Sequence, residues 1–158
     1  MLHYTEIALS HREIPGENSL CIYISGCPNQ CVNCHYPELQ QADYGDILSE
    51  SYQNIVELYI RQAACVCFMG EGAGGYSEQR ELTTCAWYAR SKGLKTCLYT
   101  GRDSLIESWM EVFDYVKLGS YQQEYSSLDS PTTNQRMYRR EGSNFVDMTS
   151  VFWNGQNG

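Results

Sequence analysis

Eight cysteines stand in this chain of 158 residues, and three of them fall in one short run, GCPNQCVNCH, over residues 26–35. Cys27, Cys31 and Cys34 have the spacing C-x-x-x-C-x-x-C, and His35 follows the last thiol directly. Three chemistries compete for such a run. CVNCH matches the C-x-x-C-H pattern of covalent haem attachment. Three thiolates and an imidazole can make a Cys3His zinc site. The full spacing can hold a [4Fe–4S] cluster through three thiolates and leave one iron open to a small molecule, as catalytic metals keep a position free.

The remaining cysteines bear on the choice. A structural zinc site usually draws on two C-x-x-C-like pairs a dozen or more residues apart, and no second pair is present. Cys65 and Cys67 lie two apart in an apolar run, Cys21 and Cys97 in two others, and Cys85 in a helical stretch. All five read as small hydrophobes in a reduced core. His35 and Cys34 are adjacent and would have difficulty reaching one metal. The first twenty residues alternate polar and apolar types without a signal-type apolar core, and no stretch approaches a membrane span. The expectation is a cytoplasmic chain with reduced thiols, which counts against haem attachment. A net charge of −8 argues against a nucleic-acid surface.

The elements that must position the cysteine run follow from periodicity. LCIYIS (20–25) reads as a buried strand stopped by Gly26, so the run sits on the loop at that strand's carboxyl end. Residues 46–64 have a roughly helical period, and ACVCFM (64–69) is a second strand stopped by GEGAGG. Residues 76–92 predict a helix closed by Gly93. LKTCLYT (94–100) predicts a third strand, residues 103–111 a short helix capped by Asp103, and DYVKL (114–118) a fourth strand. Residues 135–140 and 145–152 flank EGSN as a C-terminal hairpin. Strands alternating with helices predict an α/β fold with a mainly parallel sheet, in a single domain over 1–158. A closed barrel needs about 250 residues, so a partial, open β/α barrel is expected. Ligands gather at the carboxyl ends of such strands, where the cysteine loop, GEG and YTGR all lie.

CPNQCVNCH (27–35), FMGEG (68–72), YTGR (99–102), DYVKLG (114–119) and SPTTNQRMYR (130–139) together resemble the radical S-adenosylmethionine (SAM) superfamily. Within it they are most similar to the activating proteins of anaerobic ribonucleotide reductase. The resemblance implies a [4Fe–4S] cluster on Cys27, Cys31 and Cys34, with SAM at the open iron. It implies one-electron cleavage of SAM to methionine and a 5′-deoxyadenosyl radical, which takes hydrogen from a backbone glycine of the partner reductase. It places Gly70, Glu71 and Gly72 at the SAM amino group, although the usual order is closer to G-G-E. It sets Thr100 and Gly101 along the methionine or ribose. Asn33 stands where many members have an aromatic residue, so His35 or Tyr36 would replace that adenine contact. Lys117, Asn134 and Arg136 are further candidates toward SAM or the partner. An electron donor is also implied, a flavodoxin-like protein being one candidate.

From the residues alone, other readings stay open. Residues 70–75 and 99–102 also suit ordinary turns, with Arg102 a solvated charge; Lys117 suits a sheet edge as well as a site; residues 134–136 suit a polar loop. The competing functions are a radical SAM enzyme acting on a small molecule or on another glycyl-radical enzyme, and a non-catalytic zinc or haem module.

Overall fold

In the computed structural model, which describes residues 1–26, 45–120, 122 and 124–156, the apolar runs become neighbouring strands of one eight-stranded sheet. Its strands are β1 (His3–Ser10), β2 (Ser19–Ile24), β3 (Asp46–Ile47), β4 (Cys65–Met69), β5 (Lys95–Tyr99), β6 (Tyr115–Leu118), β7 (Arg136–Glu141) and β8 (Asn144–Asp147). They lie in the order β3-β1-β2-β4-β5-β6-β7-β8. Two α-helices, α1 (Leu48–Tyr59) and α2 (Tyr76–Ser91), precede β4 and β5.

The mixed α/β class stands, but the sheet is not mainly parallel. β2, β4, β5 and β6 pair in parallel at its centre. The pairs β1–β2, β1–β3, β6–β7 and β7–β8 are antiparallel. For β1–β2 and β7–β8 the reason lies in the connections: parallel neighbours need a crossover of about a dozen residues or more, whereas short turns reverse the chain. The turn between β1 and β2 spans only residues 11–18, and Gly142 and Ser143 join β7 to β8. The alternating N-terminal residues, not expected to form a strand, supply β1.

Other boundaries shift for local reasons. The helical period from residue 46 begins as the two-residue strand β3, which pairs with β1, before α1 starts at Leu48. The helix expected over 103–111 is instead a 3₁₀ turn at Ser108–Val112. Asp103 does not cap it; its carboxylate accepts hydrogen bonds from the Ser120 amide at 3.0 Å and the Ser120 hydroxyl at 3.0 Å. The expected hairpin forms, but its second strand stops at Asp147 and a 3₁₀ turn follows over Thr149–Gln156. Gly93 does follow α2, with a left-handed φ of +84°.

The central strands are buried on both faces, which is why their sequences are continuous apolar runs. On one face Ile22, Phe68, Leu98 and Val116 pack beneath Tyr52 and Val56 of α1 and Leu82 and Ala86 of α2. The rings of Phe68 and Phe113 meet edge-on at 6.0 Å. On the other face Cys21, Cys65, Cys67, Cys97, Tyr115 and Met137 lie under Ile14 and Leu128, with Phe152 of the C-terminal 3₁₀ turn packed against them.

Candidate functional site

The parallel register brings the carboxyl ends of β2, β4, β5 and β6 to one rim of the sheet. Tyr23, Met69, Tyr99 and Lys117 pair in turn across the four strands, so the residues after each strand meet although they are far apart in sequence. Gly26, the last described residue before the cysteine run, follows β2 at this rim. Cys27, Cys31, Cys34, His35 and Tyr36 themselves lie outside the described residues. Among the described residues, no group of three or more His, Cys, Asp or Glu could hold a metal ion.

The 70–75 loop lies against the point where the cysteine run departs. A Cβ on Gly72 would sit 3.4 Å from the Ser25 carbonyl oxygen and 2.7 Å from Leu2, and its φ is +65°. Only glycine combines that backbone with so close an approach. Beside it, the Glu71 carboxylate is buried. It accepts from the Thr100 hydroxyl and from Arg102 Nε, whose distances to its two oxygens are 2.9 and 2.7 Å. Both oxygens are therefore engaged within the protein. Arg102 also donates to the Gly74 carbonyl at 2.7 Å and to Glu107 at 3.2 Å. The Glu71 carboxylate raises the guanidinium's pKa above its ordinary value. Arg102, for which a solvated charge is one of the readings open from the sequence, is the hub of this corner.

Lys117 is not at a sheet edge, because β6 lies between β5 and β7. Its buried ammonium donates to the Thr100 carbonyl at 3.2 Å and the Gly119 carbonyl at 2.9 Å, and it lies 5.7 Å from the Tyr99 ring centre. It joins the ends of β5 and β6 from the face that carries Cys97 and Tyr115. Met137 pairs with Lys117 on that face, so Arg136, one residue earlier, points to the other. Arg136 and Asn134 line a cleft of about 450 Å³ with Arg102, Gly119 and Tyr138. Asn134 donates to the Ser120 carbonyl at 3.0 Å, while its buried amide oxygen has no partner among the described residues. The buried Gln135 donates to the Gly119 carbonyl at 3.3 Å. Gly101 lies in the turn between Thr100 and Arg102. The rim thus collects Gly70, Glu71, Gly72, Thr100, Gly101 and Lys117 near the exit of the cysteine run, and sets Asn134 and Arg136 on the helix side.

The five cysteines outside the run are buried and free. Cys21, Cys67 and Cys97 stand opposite one another on β2, β4 and β5. Burial pushes the Cys97 thiol up to about 11 and the Cys85 thiol up to about 12. It also raises Cys65 and Cys67, while a hydrogen bond with Cys67 and then burial raise Cys21. Metal ligation requires the thiolate, so these groups favour packing over ligation.

The rim fits the group the sequence resemblance implies in one checkable respect. A glycine-rich loop bearing backbone polar groups lies against the residue before the cysteine run, and a Cβ at Gly72 would meet the end of the Leu2 side chain at 2.7 Å. No helix among the described residues is long and apolar enough to cross a membrane. Comparison with known proteins finds no match to a family model, a curated protein or a solved structure.

Proposed function

We propose that this chain is a radical SAM activase that generates the glycyl radical of anaerobic ribonucleotide reductase in the cytoplasm, on a partial-barrel arrangement of its central parallel strands. The observation that carries the reading is the convergence of four parallel strand ends on one rim, with the C-x-x-x-C-x-x-C run leaving the first and the Gly70–Gly72 backbone against its exit. Cys27, Cys31 and Cys34 would hold the cluster. When bound, the cluster supplies one electron to the sulfonium of SAM, giving methionine and a 5′-deoxyadenosyl radical that takes hydrogen from the target glycine.

The chain's own residues orient and shield. Backbone carbonyls of the 70–72 segment offer acceptors for an ammonium group, since the Glu71 carboxylate is already engaged by Thr100 and Arg102. Lys117 is likewise engaged by two carbonyls, so its part is to fix the ends of β5 and β6. The face opposite α1 and α2 is filled by Ile14, Leu128, Met137, Phe152 and the cysteines. A substrate must then be presented at the rim, which favours a loop of a protein partner over an enclosed small molecule. A flavodoxin-like donor would supply the electron.

Anaerobic reconstitution with iron and sulfide analysis tests the cofactor. Zinc without iron, or a covalent haem band, would sink the proposal. Reduced protein and SAM are then incubated with the anaerobic reductase, and a glycyl radical is sought by electron paramagnetic resonance. SAM cleavage without that radical would move the assignment to another glycyl-radical enzyme or a small molecule.

A further inference from the structure

Arg102 reaches three acceptors on two separate segments with one guanidinium. Nε meets the Glu71 carboxylate at 2.7 Å, one terminal nitrogen meets the Gly74 carbonyl at 2.7 Å, and the other meets Glu107 at 3.2 Å. Glu71 and Gly74 are the two ends of one turn, closed by the Gly74 amide donating to the Glu71 carbonyl at 3.2 Å. The same turn is held below by the Gly70 amide on the Tyr99 carbonyl at 2.8 Å, and beyond by the Gly75 amide on Glu78 at 3.1 Å. The guanidinium carbon lies 5.8 Å from the Trp109 ring centre, which limits its side-chain freedom. The Thr100 hydroxyl completes the shell by donating to Glu71 and accepting from the Arg102 amide at 3.2 Å.

We propose that Arg102 is the positioning residue of the 70–75 loop: through Glu71 and Gly74 it fixes the backbone that faces the exit of the cysteine run. It touches no reacting atom. Its effect on SAM rests on the function proposed above, whereas its hold on the loop does not. A planar fork can satisfy acceptors on three sides, and an ammonium at the same place cannot reach all three. Glu71, buried against it, acts as the arm through which the loop is held.

The test uses the full chain with Arg102→Met, Arg102→Lys and the double change Arg102→Met/Glu71→Gln, which leaves no unpaired buried carboxylate if the first variant folds poorly. Amide hydrogen exchange is followed without any cofactor. The Gly74 and Gly75 amides should exchange on the order of tenfold faster in Arg102→Met, with part of the protection kept in Arg102→Lys, while strand amides such as Val66 and Leu98 keep theirs. Unchanged loop exchange, or a uniform loss across the strands, would overturn the proposal.

Reconstituted protein gives the second readout, the change in the reduced cluster's paramagnetic spectrum on adding SAM. Arg102→Met should need roughly tenfold more SAM for that change at equal iron content, the expected cost of a loosened positioning shell. A loosened loop with unaltered SAM dependence would overturn the positioning role. A wild-type chain that takes up no iron would sink the proposed function, and the exchange data would still decide whether Arg102 holds the loop.

Discussion

Thiols of two kinds share this chain, and their difference is physical rather than numerical. A ligand must ionise, and Cys97 and its neighbours lie where burial opposes ionisation. Changing Cys27, Cys31 or Cys34 to Ala should therefore abolish iron uptake and SAM cleavage, as read by iron analysis and methionine release. Cys67→Ala should leave iron content intact and cost roughly 1 kcal/mol in denaturant unfolding, the order expected for small losses of buried volume. Cys67→Ser should cost more, about 1–3 kcal/mol, because a hydroxyl is desolvated beside Met69 in an apolar row. Loss of the cluster in a folded Cys67 variant would overturn the ligand assignment. At this scale the sequence was readable for the five core cysteines, four of them in apolar runs and Cys85 in a helical stretch. Arg102 was not readable, since its three acceptors come from residues 71, 74 and 107 and only the fold brings them together.

Strand ends show the same divide among elements. DYVKLG announces a strand and a stop, but not what braces the stop. Gly119 has a φ of +109°, and a Cβ there would lie 3.0 Å from the Gln135 Cα, a backbone atom that cannot move aside cheaply. Gly119→Ala should cost about 1–3 kcal/mol in unfolding free energy and should disturb the 134–136 segment before the strands. Further along, Asp114 accepts from the Thr96 amide at 2.9 Å and from Arg140 at 2.7 Å, tying β5, β6 and β7 together. Asp114→Ala leaves the Thr96 amide without that acceptor and should cost about 1–3 kcal/mol, measured by denaturant unfolding. Period and apolar runs foretold the central strands, α2 and the hairpin. The 103–111 segment failed as a helix because Asp103 was claimed by Ser120, seventeen residues on.

The molecule as a whole should be sensitive to alkali. Each of the five buried thiols has a pKa raised above its ordinary value, as do Tyr52 and Tyr99 through burial. Below the unfolded-state pKa both states hold these protons and the groups leave stability unchanged. Above about pH 9 the unfolded thiols ionise while the folded ones stay protonated, so stability falls by up to about 1.4 kcal/mol per pH unit for each thiol. Thermal unfolding between pH 7 and 10.5 should show this decline, and the decline should be smaller in the Cys67→Ala/Cys97→Ala variant, which lacks two of the raised thiols. The sequence by itself determined the cysteine spacing, the apolar core strands and the mixed α/β class, because these depend on local periodicity and on side-chain type. Only the tertiary structure decided that the sheet reverses at both flanks, that Lys117 is an interior tie, that Arg136 and Lys117 point to opposite faces, and that Arg102 holds Glu71. Each of these depends on strand register and on pairings between residues distant in the chain, which no local pattern encodes.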